Sequence, residues 1–422
     1  MKLLSVSVIL SLFLFNCSSD SNIDSGTTRI SQSDYYEEPY ESDLVSFEMS
    51  FGSELSDTKN EFLLVNPEQI CVNNQGDIIM SDEKSIKVFD IYGKGKKKFG
   101  RPGQGPGEFG RIPLLFLSTT GYLMVLDFDL KGLYTPYNLY APDYTFIEKS
   151  RLSNNQRLEN YLYSKGYELK NIGEIRNIYA LDKFEKVYEV FLLKTTNNVR
   201  QYTDLLVYEN ADTLVSLFHV KQPLYITGPG FVLLFPILGN LQWKMLPDRR
   251  IVYIYTEEDI YNENGVSYYT IHLLSLDTFE DKKITREFSP VMYLESAFDS
   301  NTYKRLPDAQ KKAAVKAFKD KKFFPSYTRM KVDGNFVFIS VISNVKREMK
   351  EWSDSEEPVD VFDSLTEKFT GRFKFPLRLS TIKDGYVYDV DYDKDGFLEI
   401  RKYKINPIVY GLPEDPDWKT KK

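Results

Sequence analysis

Apolar and polar residues alternate in short segments along most of the chain. In the first such segment, Val45, Phe47, Met49 and Phe51 alternate with serine and glutamate, and this period of two is typical of a half-buried β-strand. From there to about Pro407, apolar runs of five to eight residues recur between turns. The pattern predicts an all-β domain.

Six of these runs are equivalent in pattern and predict the central strands of six repeated units. They are Asp77–Ser81, Tyr122–Leu126, Val187–Leu193, Arg250–Tyr255, Asn335–Ile342 and Tyr386–Val390. Most are followed by a second strand and a turn, as in Leu206–Glu209 and Leu274–Asp277. Repeated short strands of this kind indicate a β-propeller, here with six blades. Seven blades and two separate β domains are the alternatives.

The ends of this repeat array predict how the ring closes. The last set, Ile400–Ile405, has no strand after it, so we expect the N-terminal strand from Val45 to complete that blade and remove its open edge. One segment departs from the strand pattern: Pro307–Lys322 has a narrow apolar stripe at helical spacing and predicts one inserted helix. The predicted propeller domain covers residues 44–410, and a polar tail follows at 411–422.

A glycine- and proline-rich stretch, Phe99–Phe109, connects the first two predicted blades. On either side of it, Gly76–Asp82 and Gly121–Asp127 repeat a turn glycine, an apolar run and a terminal aspartate, 45 residues apart. The stretch lacks the Gly-Lys-Ser/Thr of nucleotide loops and does not open onto a helix. Its glycines allow unusual backbone geometry and its prolines stiffen it, which favours a preformed polar site. The candidate ligand-binding residues are Arg101, Gln104, Gly105, Gly107, Glu108 and Arg111. The alternative is a rigid connector without a ligand.

The repeats and the sequence Gly103–Phe109 together resemble the six-bladed β-propeller lipoproteins of Gram-negative envelopes, which are related in fold to NHL-repeat and TolB-like propellers. The resemblance covers about Leu44 to Pro407 and is specific near Phe99 to Asp127. It implies a fold and a location. It implies no activity that could be carried over residue by residue.

The first 43 residues predict a targeting signal followed by a disordered tether. Lys2 and the apolar run from Leu3 to Phe15 match a signal peptide, which ends before Cys17 and is too short to span a bilayer. Leu14–Cys17 resembles a bacterial lipobox, although Asn16 departs from the small residue usual there. We expect cleavage after residue 16, lipidation of Cys17, a disordered tether at 17–43 and a cell-envelope location, with the outer membrane favoured. Secretion without lipid is the alternative.

Composition narrows the choice of partners. The 422 residues carry a net charge of −7, which argues against nucleic-acid binding. The two cysteines, Cys17 and Cys71, leave one thiol inside the predicted domain and hence no internal disulfide. The two histidines, His219 and His272, are 53 residues apart on apolar runs, and we expect both to be structural. The chain is expected to be monomeric.

A second candidate site is a calcium loop. Asp391, Asp393, Asp395 and Glu399 occupy positions 1, 3, 5 and 9 of a calcium-loop pattern, but Lys402 falls at position 12 and excludes the EF-hand form. An ordinary hairpin turn is the alternative, and the preferred expectation is that no cofactor is bound.

Two functions remain open at this point. The first is a non-catalytic binding or scaffold module for a polar ligand, a glycan or a protein partner in the envelope. The second is a propeller hydrolase or lyase acting on glycans, for which the aromatic content offers stacking surfaces. Trp243 and Trp352 lie near predicted loops and are the better candidates for stacking on sugars. No spacing of carboxylates singles out a catalytic pair, so the binding module is preferred.

Overall fold

The computed structural model describes residues 27–30, 44–53, 61–111, 113–127, 136–151, 155–167, 172–196, 199–221, 225–228, 231–234, 241–255, 259–290, 307–320, 327–341, 358–374, 381–416 and 418. In these residues, six blade sheets follow one another along the chain: each of the first five is built around four antiparallel strands, and the sixth has three, to which an N-terminal strand adds the fourth. The protein is a six-bladed β-propeller, as predicted.

The first three blades use consecutive strands only. Blade 1 contains β3 (Pro67–Val72), β4 (Ile78–Asp82), β5 (Ser85–Phe89) and β6 (Gly95–Phe99). Blade 2 contains β7 (Leu114–Leu117), β8 (Leu123–Leu126), β9 (Pro136–Tyr140) and β10 (Phe146–Arg151). Blade 3 contains β11 (Ile172–Ala180), β12 (Lys186–Thr196), β13 (Val199–Glu209) and β14 (Leu214–Lys221).

The last three blades include the N-terminal strands β1 (Thr27–Ile30) and β2 (Val45–Phe51). Blade 4 contains β17 (Gln242–Met245), β18 (Arg250–Ile254), β20 (Val266–Ser275) and β21 (Asp281–Phe288), with β19 (Ile260–Glu263) paired to β20 and β1 paired to β21. Blade 5 contains β22 (Tyr327–Asp333), β23 (Phe336–Val341), β24 (Pro358–Asp363) and β25 (Lys368–Lys374). Blade 6 contains β26 (Thr381–Lys383), β27 (Tyr386–Tyr392), β28 (Leu398–Ile405) and β2.

Two helices and one hairpin lie between blades, and a 3₁₀-helix, Pro407–Tyr410, follows β28. Helix α1 (Gln156–Ser164) connects blades 2 and 3, and helix α2 (Asp308–Asp320) connects blades 4 and 5. A separate hairpin of β15 (Tyr225–Gly228) and β16 (Phe231–Leu234) follows blade 3, and α2 contacts β15. Neither described helix has the length and apolarity that a membrane span requires.

Strand β2 closes the ring, which confirms the predicted closure. It pairs antiparallel with β28, with Val45 opposite Ile405 and Phe51 opposite Ile400. Strand β2, the second described strand of the chain, is therefore the outermost strand of the last blade, and this pairing leaves no open edge on β28. Because the partners are more than 340 residues apart in sequence, ring closure depends on the nearly complete chain having folded.

Apolar packing lies between blades rather than at one centre. Among the described residues, six separate clusters of buried apolar residues occur, one at each of the six contacts between neighbouring blades. The second strand of each blade supplies side chains to the clusters on both of its faces. In β4, for example, Ile78 and Met80 pack towards blade 6 while Ile79 packs towards blade 2. This double burial explains why the second strands are continuous apolar runs.

Three features differ from the sequence-based expectations. Helix α1 was not predicted: Asn155 caps it by accepting a hydrogen bond from the Leu158 N–H, and Leu158 and Leu162 bury its inner face. Within the predicted disordered tether, residues 27–30 form β1, which pairs parallel with β21. In the predicted polar tail, Trp418 is buried.

The connections divide the propeller into two faces. Turns between first and second strands, and between third and fourth strands, are short and lie at one face, which we call the short-turn face. The other connections lie at the opposite face, here called the loop face, because antiparallel strands reverse direction at every turn. The loop face receives the predicted glycine-rich stretch and helix α2.

Candidate functional site

The first strand of every blade lines a cavity on the propeller axis. Strands β3, β7, β11, β17, β22 and β26 all contribute to it, and its volume is about 420 Å³. Asn74, Thr119, Pro247 and Gly334, which lie in or beside short turns, line it too, so the cavity reaches the short-turn face. This volume is within the range of small-molecule sites, roughly 300–1,000 Å³.

Two lysines from neighbouring blades line this axial channel, Lys244 on β17 and Lys331 on β22. Burial lowers the pKa of Lys331 to about 8, with the positive charges of Lys244 and Arg329 adding to the effect and Asp389 opposing it. Lys244 is solvent-accessible within the channel. Partial desolvation by the surrounding protein nevertheless lowers the pKa of its ammonium group, while Cys71 and Glu189 act to raise it. Both lysines therefore carry their charge at a cost in free energy.

The free thiol of Cys71 also lines the channel, and it is unreactive as a nucleophile. Burial raises its pKa to about 12, although Lys244 acts in the opposite direction. Its Sγ is 3.9 Å from the carbonyl oxygen of Leu115 in blade 2. A thiolate is the nucleophilic form, so a thiol with this pKa stays protonated at neutral pH.

Hydrogen bonds between blades hold the channel wall in one geometry. The Gln69 side chain donates to the Leu115 carbonyl at 2.7 Å and accepts from the Leu115 N–H at 2.8 Å, which joins β3 to β7. On the other side of blade 1, the Thr381 hydroxyl donates to the Ile70 carbonyl at 2.7 Å. The first strands of blades 6, 1 and 2 are thus fixed to one another, so this part of the wall is preformed.

The predicted glycine-rich ligand loop lies on the loop face, opposite the short-turn face. Its backbone is held by Lys149 of β10, whose ammonium group donates to the carbonyls of Gln104 and Gly105 at 3.0 Å. The Gly107 N–H donates to the Asn138 side chain at 3.2 Å, and the Arg111 N–H donates to Asp127 at 3.0 Å. The loop is therefore fastened to blade 2.

Within this loop, two of the three charged candidates, Arg101 and Glu108, bind each other. Arg101 Nε donates to Glu108 Oε1 at 2.8 Å, and Glu108 Oε2 accepts from the Gly105 N–H at 2.8 Å. The Gly105 N–H and Arg101 lower the pKa of Glu108. The side chains of Arg101, Gln104 and Arg111 are exposed. Ligand binding by these residues stays a prediction. The guanidinium group of Arg101 and the carboxylate of Glu108 already have partners inside the loop.

The calcium candidates lie on the β27–β28 hairpin at the loop face. Arg401 pairs with Asp391 and, at 2.8 Å, with Glu399. Asp393 Oδ1 accepts from the N–H groups of Asp395 and Phe397, both at 2.9 Å, and so shapes the hairpin turn. In the described residues, no group of three or more His, Cys, Asp or Glu side chains is arranged to hold a metal ion.

His272 lies on β20 in the body of blade 4, away from the channel wall, between two aspartates. Its Nδ1 is 2.6 Å from Asp281 and its Nε2 is 2.8 Å from Asp259, while Tyr253 stacks on the ring at 4.4 Å. Burial alone would lower the pKa of His272, but hydrogen bonds to both aspartates and their charges raise it to about 9. The imidazolium is paired with an aspartate on each side and stabilises the interior of blade 4.

Trp243 was expected near a loop and available for stacking on sugars, and the structure shows that this was wrong. It lies on β17, is 5% exposed, and its indole N–H donates to Glu189 of blade 3 at 2.7 Å. An apolar face against blade 3 and a buried acceptor for its N–H hold it in the wall. Trp352 and Cys17 lie outside the described residues.

The channel lysines escaped sequence-based detection because they are single residues on separate short strands. Lys244 and Lys331 are 87 positions apart, and neither belongs to a recognisable motif. Their only sequence signal is a lysine within a short strand that precedes a predicted central strand. In a propeller, such first strands line the axis, so these positions would have been selected once the blades had been assigned.

Comparisons with known proteins support the fold. Residues 54–225 match a family model described as 6-bladed beta-propeller. No curated protein matches the chain. Among solved structures, the chain is similar to an oligogalacturonate lyase in complex with manganese, with 10% identity, 82% of this chain and 98% of that chain covered, and a TM-score of 0.35. A protein of unknown function from Bacteroides caccae has 12% identity, coverages of 75% and 85%, and a TM-score of 0.34. Polysaccharide lyase Uly1 has 12% identity, coverages of 80% and 76%, and a TM-score of 0.36. At these values, the similarities carry no argument about function.

Proposed function

We propose that this six-bladed propeller is a non-catalytic binding module that takes a small polar ligand, such as a sugar unit of an envelope glycan, into its axial channel. The observation that carries the proposal is the preformed wall: all six first strands contribute to one cavity, and hydrogen bonds between blades fix part of it. A rigid site lowers the entropic cost of binding, because little of the protein has to become ordered around the ligand.

The chemistry of the described channel wall favours binding over glycoside hydrolysis. Glycoside hydrolysis commonly requires two carboxyl groups, and Glu68 is the one carboxylate among the described residues of the wall. Cys71 stays protonated at neutral pH and is a poor nucleophile. These observations support the binding module over the glycan hydrolase.

We further propose that the mature protein is attached to an envelope membrane, preferably the outer membrane, by lipid on Cys17. The sequence Leu14–Cys17 supports this location. Replacing Cys17 with alanine should release the protein from membranes when cells are fractionated. A variant that fractionates with the membrane as the unchanged protein does would contradict lipid attachment.

Ligand binding is tested with the chain from Ser18 onwards, which keeps both β1 and β2. We expect thermal-shift screening against neutral and charged saccharides and short peptides to give saturable stabilisation with a saccharide. Any saccharide that binds is then incubated with the protein and assayed for new reducing ends and for unsaturated products. Release of either product would contradict the non-catalytic proposal, whereas binding without release supports it.

A further inference from the structure

The axial channel brings two lysine side chains together without an acidic partner at short range. Lys244 and Lys331 lie on the first strands of adjacent blades and line the same cavity. Within the described part of the chain, no carboxylate oxygen lies within 4.0 Å of either ammonium group. The two charges are close enough that Lys244 lowers the pKa of Lys331. The pair is a local excess of positive charge.

The acidic groups whose charges act on these two lysines, Glu189 and Asp389, have another partner or lie on another strand, and the carboxylate of the wall, Glu68, is exposed on β3 of blade 1. Glu189 accepts the indole N–H of Trp243 at 2.7 Å. Asp389 lies on β27, the second strand of blade 6, and burial raises its pKa, which disfavours the carboxylate form. The third lysine of the wall, Lys383, pairs with Asp384 at 3.4 Å. The wall therefore leaves the charges of Lys244 and Lys331 without a close counter-charge.

This arrangement is unfavourable for folding alone. Bringing two like charges together among protein atoms raises the free energy of the charged forms, and methionine or leucine at these positions would avoid that penalty. The protein as a whole has a net charge of −7, so the channel concentrates positive charge inside an acidic molecule. An anionic ligand would remove the penalty, because it supplies the missing counter-charge in a site partly screened from water.

We propose that Lys244 and Lys331 form an anion-binding subsite, which holds the carboxylate or phosphate group of a small sugar acid or sugar phosphate in the axial channel. This inference rests on the proposed binding function and names its ligand class. A cavity of about 420 Å³ has room for a sugar ring beside the anionic group. The two ammonium groups together offer up to six donors, enough to pair several oxygens of either anion.

The experiment compares three sugars that differ at one carbon: D-glucose, D-glucuronate and D-glucose 6-phosphate. Each is titrated by calorimetry into the chain from Ser18 onwards at pH 7. We expect glucuronate or glucose 6-phosphate to bind at least roughly 10-fold more tightly than glucose, since hydrogen bonds to charged groups are stronger than neutral ones. The stronger of the two anions identifies carboxylate or phosphate as the natural group.

The variants Lys244→Met and Lys331→Met should each weaken binding of that anion roughly 10- to 100-fold, and should weaken binding of glucose by much less. Lys98→Met is the matched control, because it removes one exposed lysine from β6 of blade 1, outside the channel. Both channel variants should unfold at an equal or higher urea concentration than the unchanged protein, which excludes misfolding as the cause of lost binding.

The outcomes separate this inference from the proposed function. Equal affinity for all three sugars, or unchanged anion affinity in both channel variants, would overturn the subsite while leaving the binding module intact. If Lys98→Met reduced affinity as much as the channel variants did, the effect would come from overall charge, and the subsite would again be wrong. Failure of every saccharide and peptide in the screen would instead contradict the proposed function.

Discussion

The glycine-rich loop and the axial channel differ in whether their charged side chains have partners within the protein. In the loop, Arg101 and Glu108 bind each other and the backbone, and Lys149 fastens the loop to blade 2. In the channel, Lys244 and Lys331 lie in one cavity without a carboxylate at short range among the described residues. Charged groups that already have partners within the protein are not free to bind a ligand, whereas groups without such partners are available to one. The difference suggests a loop that holds two blades together and a channel that binds.

The strongest test of the loop's structural role is Gly100→Ala. Gly100 has φ of +81°, and a Cβ there would lie 2.3 Å from the fully buried ring of Phe109. We expect a loss of about 2–4 kcal/mol in the free energy of unfolding, from the left-handed backbone and the displaced ring together. Urea denaturation measures it.

The matched control for that variant is Gly265→Ala. Gly265 has φ of +86°, but nothing lies within 4 Å of the added Cβ. It should lose about 1–2 kcal/mol from backbone strain alone. Equal losses in the two variants would show that packing against Phe109 adds nothing and that the loop is not a tight connector.

A second test contrasts the channel lysines with His272, a cation that has acidic partners on both sides. Its pKa is raised to about 9 from an ordinary 6.5, so its stabilisation is complete below about pH 6.5 and is lost as the pH rises through 9. The difference corresponds to about 3 kcal/mol. Urea denaturation from pH 6 to pH 9.5 should show this loss, and His272→Gln should lack it. The same pH dependence in both proteins would contradict the paired imidazolium.

The third test concerns Lys331, for which the free energy of unfolding is expected to change with pH in the direction opposite to that for His272. Its pKa is lowered to about 8 from 10.5, so the unchanged protein should gain stability as the pH rises from about 8 to 10.5 and the unfavourable charge is lost. Lys331→Met should therefore be more stable at pH 7 by about 1–3 kcal/mol, with an advantage that shrinks above pH 8. Lys98→Met should show no such change. A destabilised Lys331→Met would mean that the charge has a partner and is not free for a ligand.

The smallest expected effect comes from Arg101→Ala combined with Glu108→Ala. Arg101 is an exposed partner in a surface ion pair, and such pairs contribute little to stability. The double variant should unfold at nearly the same urea concentration and bind any saccharide identified by the screen with unchanged affinity. Loss of binding would move the site to the loop face, where the sequence had placed it.

Burial explains which strands could be predicted from the sequence. The second strand of each blade packs on both faces, so Ile78, Ile79 and Met80 form an uninterrupted apolar run. The first strands have one side on the channel, and polar residues such as Lys244 interrupt their pattern. Strand β1 has four residues and takes its pairing from β21, so its own sequence carries almost no periodicity.

Helix α1 has a weak signal in the sequence. Asn155 precedes it as an N-cap, and Leu158 and Leu162 are separated by one helical turn. A helix of nine residues with two buried apolar positions was too short to stand out among strands. The candidate site is harder to predict from the sequence than helix α1. The channel exists only when six strands that are distant in sequence surround one axis, and no local pattern encodes that proximity.

The N-terminal strands also determine how the molecule responds to tension. Any pull on the N-terminus reaches β1 before β2, because Thr27–Ile30 precedes Val45–Phe51 in the chain. Strand β1 is held by its four-residue pairing with β21 and by side-chain bonds from Thr28 to Glu367 and from Arg29 to Glu263. While these contacts hold, the force passes into blades 4 and 5, and the ring-closing strand β2 bears none of it. The pairing of β1 with β21 must therefore break before tension on the N-terminus reaches the ring-closing strand β2.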